Sequence, residues 1–323
     1  VENSVPSEAK ATDFSSSDRF YSPLVKSIAK QENITIQELD GLEGSGKSGR
    51  VTKNDVQNFL ANRGSVQQSD TPAKPSATIT APAVQSMPND RVEKMDRMRR
   101  IISDHMVMSK QVSPHVTSFI DVDVTNIVNW RNKVKNDFEK REGEKITFTP
   151  LFIEAIVKCI KKYPMLNSSV VGDNIIIKKD INIGMATALP NGNLIVPVIK
   201  YADQFNIIGL AKQVITLANN ARTGKLQPGD TQDGTFTFTN VGTFGSLMGT
   251  PIINQPQVAI IATGAIKKKP VVIESDKGDS IAIRHMMFVS MSYDHRIIDG
   301  AMGSLFLAAF VEALESFDVN RTF

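Results

Sequence analysis

The pattern of apolar and polar residues predicts interleaved helices and strands from residue 92 to the end of the sequence. Residues 125–140 place apolar side chains on one helical face, at Ile127, Trp130, Val134 and Phe138. Further helices are predicted over 149–163, over 206–222 and from about Gly300, with Thr149 as a helix cap ahead of Pro150. Strand-like runs occur at 174–179, 194–199, 235–241, 257–265, 270–274 and 280–292. This alternation predicts an α+β fold with a mixed sheet.

The first part of the chain is organised differently. Residues 1–18 are mainly polar and charged, and we expect a flexible linker there. Residues 19–63 contain enough apolar side chains for a small domain but no cysteine or histidine, so the domain must be tightly helical. Residues 64–91 are rich in Ala, Pro and Ser, which predicts a second, semi-extended linker. The large domain then spans residues 92–323.

The overall composition excludes several classes of protein. Hydrophobic residues make up 41% of the 323 residues and charged residues 22%, which is typical of soluble globular domains. The net charge of +3 is too small to indicate nucleic-acid binding. No apolar run approaches the roughly 18 residues of a membrane span. The single cysteine excludes an internal disulfide and fits a reducing compartment.

A glycine-rich segment in the small domain matches two nucleotide-binding patterns. Residues 41–48 fit G-x-x-x-x-G-K-[ST], and Gly44, Gly46 and Gly49 fit G-x-G-x-x-G. Both patterns require a buried strand before the loop and a large sheet around it. The preceding residues are polar, and the domain is too small for such a sheet. We therefore interpret the segment as a loop between two short helices.

Two helix starts flank this loop. Ser22 is a predicted helix cap with Pro23 at the first helical position, and Thr52 is the predicted cap of the second helix. Together with the string G-R-V-T-K-N-D-V from Gly49, they resemble the peripheral-subunit-binding domain of 2-oxo acid dehydrogenase acyltransferases. The resemblance covers residues 19–63.

This resemblance implies that the small domain binds the dehydrogenase or decarboxylase subunit of such a complex. The basic side chains that would contact the partner are Arg50, Lys53 and Lys47. A basic face gains affinity and association rate from an acidic partner. The alternative is a solvated charged loop without a partner.

One of the four histidines lies where a catalytic residue is expected. His295 follows a predicted strand and precedes a predicted helix, and it opens the pattern H-x-x-x-D-G. That pattern resembles the one in CoA-dependent acyltransferases, including chloramphenicol acetyltransferase. Four longer strings resemble those of dihydrolipoamide acyltransferases, and the resemblance covers about residues 92–318. The strings are S-Y-D-H-R-I-I-D-G at 292–300, T-F-T-N-V-G-T-F-G-S at 237–246, T-P-I-I-N at 250–254 and M-D-R-M-R-R-I-I at 95–102.

The resemblance implies a chloramphenicol-acetyltransferase-like mixed-sheet domain that transfers an acyl group between dihydrolipoamide and CoA. In this family His295 would be the general base, Thr239 would donate its hydroxyl to the oxyanion, and Asp299 would hold the geometry of the active site. The family also implies a homotrimer that assembles into a larger cubic or icosahedral core. Each site would take His295 from one chain and Thr239 from its neighbour.

The residue types suit this chemistry. A thiol with a pKa of about 8.5 is mostly protonated at neutral pH, and a histidine with a pKa of about 6.5 can accept its proton. Among the other candidates, we expect His115 to be a strand-entry residue near the channel, and His105 and His285 to be surface or core residues. Cys159 lies in the middle of a predicted helix and is expected to be a packing residue rather than a nucleophile. The spacing of these residues matches no metal site, so we expect none.

The reaction also needs a lipoyl-lysine arm. The turn Asp276-Lys277-Gly278 resembles a lipoyl-domain turn, but it lies between two predicted strands, where a polar hairpin is the simpler interpretation. We expect the lipoyl group to be on a domain upstream of this chain. CoA is the other expected substrate.

The sequence leaves several alternatives for the acyl group that is transferred. The combination of family strings favours a branched-chain acyltransferase, whereas F-G-S-L-M at 244–248 followed by T-P-I-I-N resembles succinyltransferases. A succinyl- or acetyltransferase, a non-catalytic core subunit and a free-standing CoA acyltransferase are the alternatives. We expect a location in the bacterial cytoplasm, with the mitochondrial matrix as the alternative, and no membrane or nucleic-acid partner.

Overall fold

A computed structural model describes two compact units, divided between Asp90 and Arg91. The residues it describes are 19–32, 34–42, 44–46, 49–63, 84–276 and 278–323. The predicted linker at 1–18, most of the predicted linker at 64–91, and Lys47 and Lys277 lie outside these residues.

The small unit is helical, as predicted. Its helices are α1 (Pro23–Gln31), α2 (Ile36–Asp40) and α3 (Lys53–Arg63). The Ser22 hydroxyl accepts a hydrogen bond from the Val25 N–H at 3.3 Å, and Pro23 begins α1, as the sequence predicted. A cluster of apolar side chains forms its core, namely Tyr21, Val25, Ala29, Ile34, Leu39, Val51 and Val56.

The glycine-rich loop joins α2 to α3 and packs against its own backbone. A Cβ atom on Gly44 would lie 2.4 Å from the Arg50 carbonyl carbon, so only glycine fits there. The Asp55 carboxylate accepts the N–H groups of Ser45 and Thr52 at 3.0 and 2.8 Å. Hydrogen bonds from the Thr52 backbone and from Ser45 lower the pKa of Asp55. The Ser45 N–H, inside the glycine-rich pattern, is thus already hydrogen-bonded to a carboxylate of the same domain.

The large unit combines five α-helices with a mixed sheet in its described residues. The helices are α4 (Arg97–Val112), α5 (Thr125–Glu142), α6 (Thr149–Lys162), α7 (Ile207–Arg222) and α8 (Gly300–Glu315). The main sheet contains β1 (His115–Asp123), β4 (Ile183–Met185), β7 (Val198–Ile199), β8 (Phe236–Asn240), β9 (Ala259–Thr263), β10 (Lys267–Ile273) and β11 (Ser280–Asp294). Two small hairpins pair β2 (Ser168–Val171) with β3 (Asn174–Ile177), and β5 (Thr187–Ala188) with β6 (Leu194–Ile195).

The strand order of the main sheet is β1-β11-β9-β8-β4-β7, and β10 pairs with the first half of β11. Strand β8 runs parallel to β4 and β9, and the other pairs are antiparallel. The predicted α+β fold with a mixed sheet is therefore confirmed.

Strand β11 separates two different environments. Met287, Val289, Met291 and Tyr293 belong to the apolar core. Because side chains alternate along a strand, Ser290, Ser292 and Asp294 point to the opposite face, where they are also buried. This second, polar face positions the candidate site.

Two local predictions were wrong. Thr149 does not cap α6: it is the first residue of the helix, and the cap position is Phe148, which makes no side-chain cap hydrogen bond. The predicted strand 194–199 is split into β6 and β7, which belong to different sheets. The break falls at Val196 and Pro197, and proline has no N–H for a sheet ladder. Cys159 is buried, as predicted, and burial raises the pKa of its thiol to about 12.

Candidate active site

His295 is the first residue after β11 and its side chain is exposed. Its N–H donates to the Pro114 carbonyl at 3.0 Å, and its ring stacks on Tyr293 at 6.3 Å between centroids. Tyr293 is held in turn by Gly303 of α8, where a Cβ atom would lie 2.7 Å from the tyrosine ring. Within the part of the chain that the structure describes, the His295 ring makes no hydrogen bond, so both ring nitrogens are available.

Asp294 anchors the backbone directly before His295. It is fully buried, and its carboxylate accepts a bidentate pair of hydrogen bonds from the Arg296 guanidinium, at 2.6 and 3.0 Å. Burial alone would raise the pKa of Asp294, but the hydrogen bonds from the Arg296 side chain and N–H outweigh it and lower the pKa. Asp294 therefore stays ionised and fixes the turn that carries His295.

Asp299 caps helix α8. Its Oδ1 accepts the Met302 N–H at 2.7 Å, and its exposed carboxylate lies at the helix N-terminus, where negative charge is favoured. The contact stabilises the first turn of α8, which begins at Gly300. The structural role in the active site that the resemblance implies for Asp299 stays a prediction.

Thr239 lies in β8 beside a cavity of about 510 Å³. Its side chain is half-buried, and its hydroxyl makes no hydrogen bond to any residue that the structure describes. The hydroxyl is therefore free to donate to a bound group. The cavity walls are mainly apolar, with Phe148, Met185, Leu194, Val214, Phe238 and Phe244 among the lining residues.

Arg222 at the end of α7 also lines this cavity, and it is the one ionisable side chain among the described lining residues. Sequence reasoning missed it. No spacing links residue 222 to Thr239, and only the packing of α7 against β5 and β7 brings the two to one cavity.

Thr239 and His295 of one chain do not meet. Thr239 pairs with Ala262 in β9, and Ala262 pairs with Ser290 in β11, so two strand spacings separate Thr239 and Ser290 by about 10 Å. His295 lies five residues beyond Ser290, about 16 Å further along the strand direction. The Cα atoms of the two residues are therefore about 19 Å apart, whereas reacting atoms must approach to about 3.5 Å.

The other histidines have separate positions. His115 begins β1, as predicted, and its ring is held by two backbone groups. His105 lines a second, polar cavity of about 590 Å³. His285 is half-buried in β11 opposite Lys268.

The predicted partner-binding residues of the small unit lie beside the start of α3. Arg50 is exposed, with its guanidinium 5.6 Å from the ring centroid of Phe20, and Lys53 is exposed at the first position of α3. Lys47 lies outside the described residues. Arg19 is basic too, but it donates to backbone carbonyls, among them Asp40 and Gly49, and so serves the fold of the loop.

Comparison with known proteins identifies two regions of the chain. Residues 87–320 match the model of the 2-oxoacid dehydrogenases acyltransferase catalytic domain, and residues 19–57 match that of the E3 binding domain. No helix among the described residues has both the length and the apolar character that crossing a membrane requires.

Two curated relatives from Bacillus subtilis are similar over most of the chain. The lipoamide acyltransferase component of the branched-chain alpha-keto acid dehydrogenase complex is 39% identical over 98% of this chain and 76% of its own length. The dihydrolipoyllysine-residue succinyltransferase component of the 2-oxoglutarate dehydrogenase complex is 37% identical over 91% of this chain and 68% of its own. The solved cubic core of a pyruvate dehydrogenase multienzyme complex is 32% identical and matches with a TM-score of 0.67, over 73% of this chain and 98% of that one.

The cap geometry of Asp299 can be separated from its charge. Asp299→Asn keeps an oxygen that accepts the Met302 N–H, whereas Asp299→Ala removes it. We expect the alanine variant to lose about 1 kcal/mol of unfolding free energy, and the asparagine variant to lose much less. Denaturant unfolding monitored by circular dichroism measures both. Equal stabilities of the two variants would contradict the cap assignment.

Proposed function

This chain belongs to the 2-oxoacid dehydrogenase acyltransferase family, and from that membership we propose that it transfers an acyl group between dihydrolipoamide and CoA. The observation that carries the proposal is that two functional groups make no hydrogen bond within the described part of the chain. The His295 ring and the Thr239 hydroxyl are both accessible, and neither is bound by the described part of its own chain.

The reaction exchanges one thioester for another. His295 takes the proton from the attacking thiol, and the thiolate adds to the thioester carbonyl. Thr239 donates its hydroxyl to the oxyanion that forms, and Asp299 holds the start of α8 beside the base. The tetrahedral intermediate then expels the second thiolate, which recovers the proton from His295. No covalent acyl-enzyme forms, and nothing is oxidised or reduced.

The separation of Thr239 from His295 supports a site shared between copies of the chain. The strand register puts about 19 Å between the two residues of one chain, so one thioester cannot reach both. In a trimer, His295 of each chain can face Thr239 of the next, which gives three equivalent sites. The similarity to a cubic core supports the assembly of such trimers into a larger core.

A mixed assembly tests the shared site. His295→Ala and Thr239→Val are each expected to lose about a hundredfold or more in kcat. Co-expressed in equal amounts, the two chains should form about a quarter of their sites from an intact His295 and an intact Thr239 of different chains. We expect that share of wild-type activity to return.

The control is a mixture of the two variants assembled separately, which should show only their residual activities. A co-expressed assembly that is no more active than this control would contradict a site shared between chains.

We propose branched-chain acyl groups as the preferred substrates. The apolar walls of the Thr239 cavity suit a branched aliphatic group, and the similarity to the branched-chain component from Bacillus subtilis supports the same choice. Succinyl transfer is the second candidate, because Arg222 lines the same cavity and could pair with a terminal carboxylate.

The acyl preference is measured by kcat/KM for transfer to free dihydrolipoamide from isobutyryl-, isovaleryl-, succinyl- and acetyl-CoA. Each additional methyl or methylene group in an apolar pocket contributes about 1–3 kcal/mol, so we expect the branched donors to exceed acetyl-CoA by about tenfold or more. Arg222→Gln should leave the branched donors unchanged. A preference for succinyl-CoA that this variant abolishes would establish the second candidate instead.

We propose that the small unit binds a peripheral dehydrogenase subunit through Arg50 and Lys53. The match to the E3 binding domain supports this class of partner, and both side chains are exposed where the glycine-rich loop meets α3. Lys47, which precedes Arg50 in the sequence, is proposed to contribute to binding as well. The bacterial relatives support the expected location in the bacterial cytoplasm.

Salt dependence distinguishes an electrostatic contact from an apolar one. The double variant Arg50→Ala/Lys53→Ala is expected to bind the dehydrogenase subunit at least tenfold more weakly at low salt, mainly through a slower association rate. Lys145→Ala, which removes an exposed charge from the large unit, is the matched control and should bind normally. Unchanged binding by the double variant, measured by surface plasmon resonance, would contradict this surface.

A further inference from the structure

A segment without a strand or an α-helix connects the two ends of the sheet that carry Thr239 and His295. This crossing segment, residues 241–257, leaves the end of β8 next to Thr239 and returns to the start of β9, at the level of Asp294. It lies on the polar face of the sheet, where the Gly249 carbonyl accepts the Ser290 hydroxyl at 2.5 Å.

The crossing segment is fixed at Ile253 by two side chains. The Ile253 N–H donates to Nε2 of His115 at 2.9 Å, and the Ile253 carbonyl accepts the Ser109 hydroxyl at 2.6 Å. Nδ1 of His115 lies 2.7 Å from the Ser113 carbonyl. Because Nε2 accepts a hydrogen bond, Nδ1 is the ring nitrogen that donates to that carbonyl.

The same short stretch of chain also holds the proposed catalytic base. The carbonyl of Pro114, directly before His115, accepts the His295 N–H at 3.0 Å. His115 itself is opposite Asp294 in the register of β1 and β11. Residues 113–115 therefore contact the His295 backbone on one side and the crossing segment on the other.

We propose that His115 is a positioning residue for acyl transfer, which sets the location of His295 relative to the crossing segment and, through that segment, to Thr239. The proposal rests on the proposed function. His115 is absent from the lining of the Thr239 cavity, so it acts through other residues and not by contact with the acyl group there. A displacement of a catalytic group by about 1 Å can cost about a hundredfold in rate.

Three substitutions separate the two hydrogen bonds of the ring. His115→Ala removes both. His115→Asn keeps a donor near the Nδ1 position for Ser113 but is too short to accept the Ile253 N–H, whereas His115→Gln can place an acceptor near the Nε2 position. His285→Ala, a half-buried histidine of the same sheet, is the matched control.

Steady-state kinetics of the assembled protein test the proposal. We expect kcat to fall about tenfold to a hundredfold in His115→Ala and His115→Asn, with KM within about twofold of wild type, and His115→Gln to recover most of kcat. Thermal unfolding and gel filtration identify any variant that fails to fold, and the Gln and Asn pair then decides the question.

Wild-type kcat in His115→Asn, or an equal loss in His115→Gln, would overturn the positioning role. A rise in KM with unchanged kcat would overturn it too, because it indicates direct contact with substrate. His295→Ala, measured in parallel, separates the two proposals: full activity in that variant defeats the proposed function, whereas an inactive His295→Ala beside a fully active His115→Asn defeats only the role of His115.

Discussion

The buried polar face of β11 is the constraint on which the rest of the large unit depends. One face of this strand packs Met291 and Tyr293 into the apolar core, so the opposite face must bury Ser290, Ser292 and Asp294. A polar group buried without a partner costs several kcal/mol, on the order of 2–7, and each of these groups therefore has to find one. The crossing segment, the Thr117 hydroxyl and the Arg296 guanidinium supply them. The elements around the proposed base are thus positioned by the hydrogen bonds that the buried polar groups of the sheet require.

The ion pair between Asp294 and Arg296 makes this arrangement compatible with chemistry at neutral pH. The net effect on Asp294 is a lowered pKa, because the hydrogen bonds from Arg296 outweigh burial. A carboxylate whose folded pKa is lowered stabilises the fold above its unfolded pKa, and this contribution disappears as the pH falls through the folded value. At neutral pH the carboxylate is charged and the pair is complete. The backbone that carries His295 is then fixed, while its imidazole makes no hydrogen bond to the residues that the structure describes.

Local features of this fold could be predicted from the sequence, whereas features that depend on strand register could not. The helix start at Ser22 and Pro23 depends only on neighbouring residues. So does the absence of a strand before the glycine-rich loop. The structure agrees with both predictions. The 19 Å or so between Thr239 and His295 follows from pairing across β8, β9 and β11, which no spacing along the chain reveals. The tautomer of His115 depends on Ile253, 138 residues away. The position of Arg222 beside the Thr239 cavity likewise depends on how a helix packs, which the spacing of residues along the chain does not reveal.

In the proposed trimer, one sheet would serve two active sites. Each copy would offer the Thr239 hydroxyl at one end of the sheet and the His295 base at the other, and the two ends would face different neighbours in a closed ring. Interfaces of this kind join unlike surfaces, so every chain would complete one site with its base and another with its hydroxyl. Within each chain, the crossing segment connects the two ends of the sheet through covalent backbone and through its hydrogen bonds at Gly249 and Ile253. The precision of the proposed shared sites would then depend on the rigidity within each chain as much as on the contacts between chains.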